Sequence, residues 1–148
     1  MRKSKINISG FKIGTAENRD GLTGVTVILA PDGGATAGVD VRGCAPGTRE
    51  TDLLDPRKTV QKIHAVVLSG GSAFGLEAAS GCVKYLAEQG VGFPIGNVCV
   101  PIVCSAVLFD LMIGDEKAYP DLLMGYEAAK SASSEFLSGC NGAGTGAT

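Results

Sequence analysis

The glycine-rich segment Gly139-Cys140-Asn141-Gly142-Ala143-Gly144-Thr145-Gly146-Ala147-Thr148 narrows what this chain can fold into more than any other stretch. Such a run can be neither a helix nor an ordinary buried strand, because each glycine loses the most backbone entropy on ordering and has no side chain to bury. It reads as a loop that another part of the fold must hold. Two segments of the same kind lie upstream, residues 38–51 and residues 68–77. The 22 glycines cluster in these loops without a collagen period, which marks backbone-dense turns.

The rest of the chain must supply a core. Apolar residues make up 45% and charged residues 19%, the balance of a core-forming globular domain. A length of 148 residues suits one domain. Trp is absent and aromatics are 5%, so the core falls to Val, Ile, Leu and Ala. A net charge of −2 with mixed signs offers no basic patch, which argues against nucleic-acid binding. No apolar run reaches the length of a membrane span, and the residues after Arg2, Lys3 and Lys5 are too short and polar for a signal-peptide core. A soluble, cytoplasmic protein is expected. The five cysteines form no C-x-x-C pair and there is one histidine, so no metal site is expected. The thiols read as reduced, buried small hydrophobes, with Cys140 in the terminal loop as the candidate for exposure and reactivity.

Short strands are expected at residues 5–9 and 12–15, and a stronger one at 23–30, bounded by Pro31-Asp32-Gly33-Gly34. Residues 35–41 suggest its hairpin partner. Residues 43–57 read as a loop with a short helical pattern around Asp52 to Leu54, broken by Pro56. The apolar run 62–68 reads as a strand buried on both faces, turning at Ser69 to Ser72 directly into a helix. Phe74, Leu76, Ala79, Val83 and Leu86 mark that helix's apolar face, and Gly90 its stop. Residues 98–111 carry Pro101 and read as a strand with a further short segment. A helix opens at Pro120-Asp121, with Leu122, Leu123, Tyr126 and Ala129 as its apolar face. Strands and helices without strict alternation point to an α+β arrangement in which helices pack on a sheet.

Ser72, at a strand-to-helix turn, stands where a nucleophilic serine is sought. The elbow motif needs G-x-S-x-G, and Gly70-Gly71-Ser72-Ala73-Phe74-Gly75 places the last glycine one residue late. His64 lies eight residues earlier, roughly 25 Å away along an extended strand, too far for a Ser-His pair. The same turn could bind an anion at a helix N-terminus, but it holds no Lys or Arg, so close packing of helix on strand is the preferred reading. Arg42, Arg49, Glu50, Asp52 and Asp55 suggest a structural ion-pair knot, with substrate contact as the alternative. Asp110, Asp115, Glu116 and Asp121 lack a Ca²⁺-loop spacing and read as exposed or helix-capping carboxylates.

Taken in order, the segments 38–51, 68–77, Val100-Pro101-Ile102-Val103, Ala106-Val107-Leu108-Phe109-Asp110 and 139–148 resemble the DmpA-type family of self-processing N-terminal-nucleophile hydrolases, which includes L-aminopeptidase/D-esterase, β-peptidyl aminopeptidases and nylon-oligomer hydrolases. The resemblance implies an α/β (α+β) fold of a definite kind, a four-layer αββα sandwich of the DmpA and ornithine acetyltransferase type, incomplete in this chain. Residues 1–148 would form a single N-terminal portion, its inner sheet face uncovered. The family's Ser or Thr nucleophile, and the Lys and Asn that accompany it, lie beyond the position equivalent to Thr148. No catalytic residue is therefore assigned within these residues, and no self-cleavage is expected of them. A tyrosine of hydrolytic members matches Phe109 and a glutamate of aminopeptidase members matches Val107. With Ser105, these are the candidate substrate-binding positions, and both departures weaken a strict aminopeptidase reading. The resemblance implies no cofactor and no metal, a small peptide or amide substrate for the completed enzyme, the C-terminal portion as partner, and a homo-oligomer. A non-catalytic binding module of the same fold is the alternative, and the similar ornithine acetyltransferases are a third possibility.

Overall fold

The computed structural model describes residues 2–147. Its strands are β1 (Arg2–Lys5), β2 (Lys12–Asn18), β3 (Thr23–Leu29), β4 (Thr48–Arg49), β5 (Ala65–Ser69), β6 (Phe93–Ile95), β7 (Val98–Val100), β8 (Val103–Val107) and β9 (Glu135–Ser138). The helices are α1 (Ala78–Glu88) and α2 (Leu122–Lys130), with single 3-10 turns at Asp52–Leu54, Ser72–Glu77 and Gly142–Thr145. Among the described residues no helix is long and apolar enough to cross a membrane.

Five strands form the main sheet in the order β2-β3-β5-β8-β4. β5 and β8 run parallel, joined by the turn and α1, and the other pairs are antiparallel. Alternation sorts the strand residues onto two faces. Val25, Val27 and Leu29 of β3, Ala65 and Val67 of β5 and Val103 of β8 point toward the helices and form one core with Ala78, Ala79, Cys82, Leu86, Ala128 and Ala129. No aromatic side chain belongs to that fully buried set, as the composition implies. The opposite face carries Ile13 and Thr15 of β2, Thr26 and Ile28 of β3, Leu68 of β5 and Ala106 of β8.

Helix α2 lies against α1 through small residues. A side chain at Gly81 would strike the Leu122 carbonyl, and one at Gly125 the Ala78 carbonyl. The close crossing accounts for a departure from the periodicity reading. The buried face of α2 is Gly125, Ala128 and Ala129, while Leu122 and Leu123 are exposed. The helix's N-cap is as expected, with Asp121 Oδ1 accepting from Met124 N at 2.8 Å.

Three other expectations are corrected. The hairpin partner of β3 is β2, through the turn at residues 19–22; with β5 on its other edge, β3 has no room for residues 35–41, which contribute a single bridge from Ala35 to Ile63. The run into β5 is buried on one face only, with Leu68 39% exposed on the other. Phe74 sits outside the core because the turn begins as a 3-10 helix, whose three-residue period rotates it away from Ala79 and Leu86; it stacks instead on Tyr119 at 4.6 Å. β6 and β7 form a separate hairpin, and β9, not anticipated, pairs antiparallel with β1.

The β1-β9 ribbon faces the open side of the main sheet across a cleft lined by both. The layers are thus helices, a five-stranded sheet and a two-stranded second layer, an incomplete version of the expected sandwich.

Candidate functional site

The cleft between the open sheet face and the ribbon has a volume of about 470 Å³. The sheet supplies Thr15, Thr26, Leu68 and Val107, the ribbon supplies Leu137, and the glycine-rich segment forms the remaining wall through Asn141, Ala143 and Gly144. None of its lining residues carries a charge. It joins a larger groove of about 700 Å³ along the outer edge of β2, with which it shares Ile13, Thr15, Phe136 and Leu137.

The terminal glycine-rich segment is held on the sheet by side chains from β2 and β3. Asn141 is 6% exposed, and its Nδ2 donates to the Leu137 carbonyl at 2.9 Å and to Thr15 Oγ1 at 3.4 Å. Gly142 N donates to Glu17 Oε2 at 3.3 Å and Ala143 N to Thr26 Oγ1 at 3.1 Å. Gly142 has φ +56° and its carbonyl rests where a side chain at Gly24 would stand, so both positions demand glycine. A segment with little side-chain surface is ordered because its backbone donors find partners on a strand face. Thr15 and Glu17, two apart on β2, and Thr26 on β3 stand on the face predicted to be apolar and uncovered. Their period-two polarity was the available signal.

A second knot lies beside the first, one residue away along β3, since the Glu17–Gly24 pair that meets Gly142 is next to the Asn18–Thr23 pair. Asp110 is 2% exposed, with Oδ2 accepting from Thr23 Oγ1 at 2.8 Å and Oδ1 from Gly71 N at 2.6 Å. A Cβ on Gly146 would stand 2.8 Å from Oδ2, so the end of the glycine-rich segment also closes on this carboxylate. Asp110 is therefore buried, not an exposed carboxylate. It also explains the strand-to-helix turn: the N-terminal position open to an anion is filled by the chain's own carboxylate.

Of the three candidate contact residues, Val107 lies in the cleft wall. Ser105 stands in register with Val67 on the helix side, 2% exposed, its Oγ without a hydrogen-bond partner. Phe109 projects from the loop after β8, 65% exposed. The structure therefore does not gather them around one point. Ser72 adopts φ +52° and its amide donates to the Leu108 carbonyl at 3.0 Å. His64 is buried, its Nδ1 accepting from Ile102 N at 3.1 Å, and burial pushes its pKa down. It is engaged structurally, at the end of β5 opposite to Ser72.

The loop charges do not form the expected knot. Among the described residues, the ion pairs there are local and exposed, Arg42 with Asp40 at 2.7 Å and Arg57 with Asp55 at 2.6 Å, while Arg49 donates to Ser80 Oγ at 2.7 Å. The Arg57 guanidinium holds the Asp55 carboxyl down at about 2. Nor are the cysteines uniformly buried. Cys44, Cys99 and Cys140 are exposed; Cys82 is buried, which pushes its thiol up to about 12, and Cys104 is raised by burial and by the nearby Glu50 charge.

Comparison with known proteins places this arrangement. Residues 5–148 match Peptidase family S58. The chain is 48% identical over 121 residues to an uncharacterised aminopeptidase of Mycobacterium tuberculosis, covering 82% of this chain and 35% of the relative. It is 35% identical over 145 residues to a 6-aminohexanoate-oligomer endohydrolase of Agromyces, covering 97% of this chain and 38% of the relative. The fold matches the L-aminopeptidase D-Ala-esterase/amidase of Ochrobactrum anthropi with a TM-score of 0.71 at 17% identity, over 94% of this chain and 42% of that one. The chain thus spans little more than a third of the length of these curated relatives. On the match over residues 5–148, the chain belongs to Peptidase family S58.

Proposed function

We propose that these 148 residues are the N-terminal portion of a self-processing amide or peptide hydrolase, and that they form one wall of its active site without catalysing alone. The observation that carries this is the cleft on the open sheet face. It offers hydroxyls at Thr15, Thr26, Ser69 and Ser138, but no lining group able to act as their base. The one histidine of the chain is buried at the far end of β5, bonded to Ile102. In an N-terminal-nucleophile mechanism the nucleophile's own α-amine serves as base, and on this reading that nucleophile belongs to a portion outside these 148 residues, which span little more than a third of the curated relatives' length.

On this reading the open face receives the C-terminal portion of the enzyme, the substrate is a small peptide or amide, and the assembly is a homo-oligomer working in the cytoplasm without a cofactor. Val107 in the wall adds no carboxylate to hold a free amine, which favours an amide substrate over a strict aminopeptidase substrate. The second reading, a non-catalytic binding module, is favoured by the same residue together with Phe109, which has no hydroxyl.

The test is hydrolysis of amino-acid p-nitroanilides and of 6-aminohexanoate oligomers by the isolated chain, and by the chain co-expressed with the C-terminal portion of the Agromyces relative. The proposal expects no turnover from the first and turnover from the second. Activity of the isolated chain that vanishes on Ser72→Ala would restore the serine-elbow reading. Binding of substrate by a completed assembly with no turnover would favour the binding module.

A further inference from the structure

Asn141-Gly142 is the only Asn-Gly dipeptide in the chain, and it sits at the point where the glycine-rich segment is fixed to the sheet. Asn-Gly is chemically labile because glycine has no Cβ to crowd the approach of its own nitrogen to the preceding side-chain amide carbon. In the docked segment both reacting groups are held elsewhere. The Gly142 N–H, the nucleophile, donates to Glu17 Oε2, and the Asn141 amide nitrogen, the leaving group, donates to the Leu137 carbonyl and Thr15 Oγ1. Asn141 is extended, with φ −148° and ψ 163°, so Gly142 N is turned away from the near-eclipsed position against Asn141 Cβ that ring closure requires.

We propose that Asn141-Gly142 is a docking-gated modification site: deamidation takes place only when the glycine-rich segment lifts from β2 and β3, and its product keeps the segment from docking again. In the lifted segment Gly142 N bonds to Asn141 Cγ and the Cγ–Nδ2 bond breaks. The Gly142 amide proton leaves with Nδ2 as ammonia. Water then opens the resulting succinimide at either carbonyl, giving aspartate or isoaspartate. The new carboxylate has no proton to donate to the Leu137 carbonyl, and it sits one residue from the Gly142 N–H that binds the Glu17 carboxylate, in a site where Asn141 was 6% exposed. A buried acceptor facing an acceptor, near a like charge, costs more than the lost bonds alone. Because Asn141, Ala143 and Gly144 line the cleft, the modification removes one of its walls.

The experiment ages the purified chain at mildly alkaline pH, native and in denaturant, and measures isoaspartate in the 139–147 peptide. The native rate is expected to be at least ~10-fold below the denatured rate, the ratio of a local opening equilibrium. Thr26→Val, which removes the acceptor for Ala143 N, should raise the native rate several-fold and leave the denatured rate unchanged. Asn141→Asp, the product made directly, should lose hydrogen-exchange protection at 142 and 143 while β3 keeps its own. Equal native and denatured rates, no isoaspartate in either state, or an Asn141→Asp chain as protected as the parent would each overturn the proposal. If Thr26→Val shifts the global melt, the native-to-denatured ratio of the parent chain decides.

Discussion

On the helix side of the five-stranded sheet Val25, Val27 and Val67 have no exposed surface, while on the other side of the same strands Leu68 keeps 39% of its surface and Thr26 and Ile28 are half-buried. Strand composition does not account for the difference, since β-branched residues occupy both faces. What differs is the cover. The helix side is closed by α1 and α2, held close by glycine and alanine at their crossing, and the other by a two-stranded ribbon and a glycine-rich segment fixed by four hydrogen bonds. The first face is a finished core. The second is a surface with one polar corner organised, which the proposed function reads as a half-site.

If that contrast is right, substitutions on the two faces should differ sharply. The largest effect is expected at the helix crossing. Gly125→Val drives a side chain into the Ala78 carbonyl and should cost about 3 kcal/mol or more, read as a lower denaturant midpoint or failure to fold. Next comes the knot at the sheet's end. Asp110→Ala leaves the Thr23 hydroxyl and the Gly71 N–H without acceptors in a buried site, and should cost about 2–3 kcal/mol by chemical denaturation. A similar loss from Asp115→Ala, whose carboxylate is exposed, would show that burial is not what gives Asp110 its weight.

Much of the first face was legible in the sequence, and little of the second. Thr23 to Leu29 and the Asp121 cap follow from strand alternation and capping chemistry, which are local. The glycine-rich segment was legible as a loop needing a holder, but its holder was not, because Thr15, Glu17 and Thr26 lie over a hundred residues away, and Glu17 and Thr26 bond to backbone N–H groups that carry no sequence signal. Asp110 was misread for a related reason: a buried carboxylate looks like an exposed one until the glycine turn that donates to it is brought alongside. On the apolar face of α2 Ala129 is buried as read, but Leu122 and Leu123 were misplaced there because leucine outranks glycine in any periodicity count, whereas the close helix crossing selects glycine.

A pH titration probes a third place, the buried entry to β5. Burial holds His64 below its usual pKa, so as pH falls the unfolded chain takes up the proton first. The stability that neutral His64 contributes is complete above about pH 6.5 and is lost as pH drops from there toward the folded-state value. The melting temperature should be flat from neutral pH upward and fall below that point, with His64→Gln flattening the acid limb. The smallest effect is expected on the open face, where Leu68→Ser should change monomer stability by less than about 0.5 kcal/mol while reducing association of the chain.

Association is the most direct test of the open face. An uncovered apolar patch of some hundreds of Å², at roughly 25 cal/mol per Å², carries several kcal/mol, comparable with the whole stability of a domain. Light scattering of the purified 148-residue chain, with denaturant melts at two protein concentrations, reads this directly. The account predicts self-association and a midpoint that rises with concentration, both weakened by Leu68→Ser. A monodisperse monomer whose cooperative melt is independent of concentration would mean that the chain closes its own core, and the half-site reading would have to be given up.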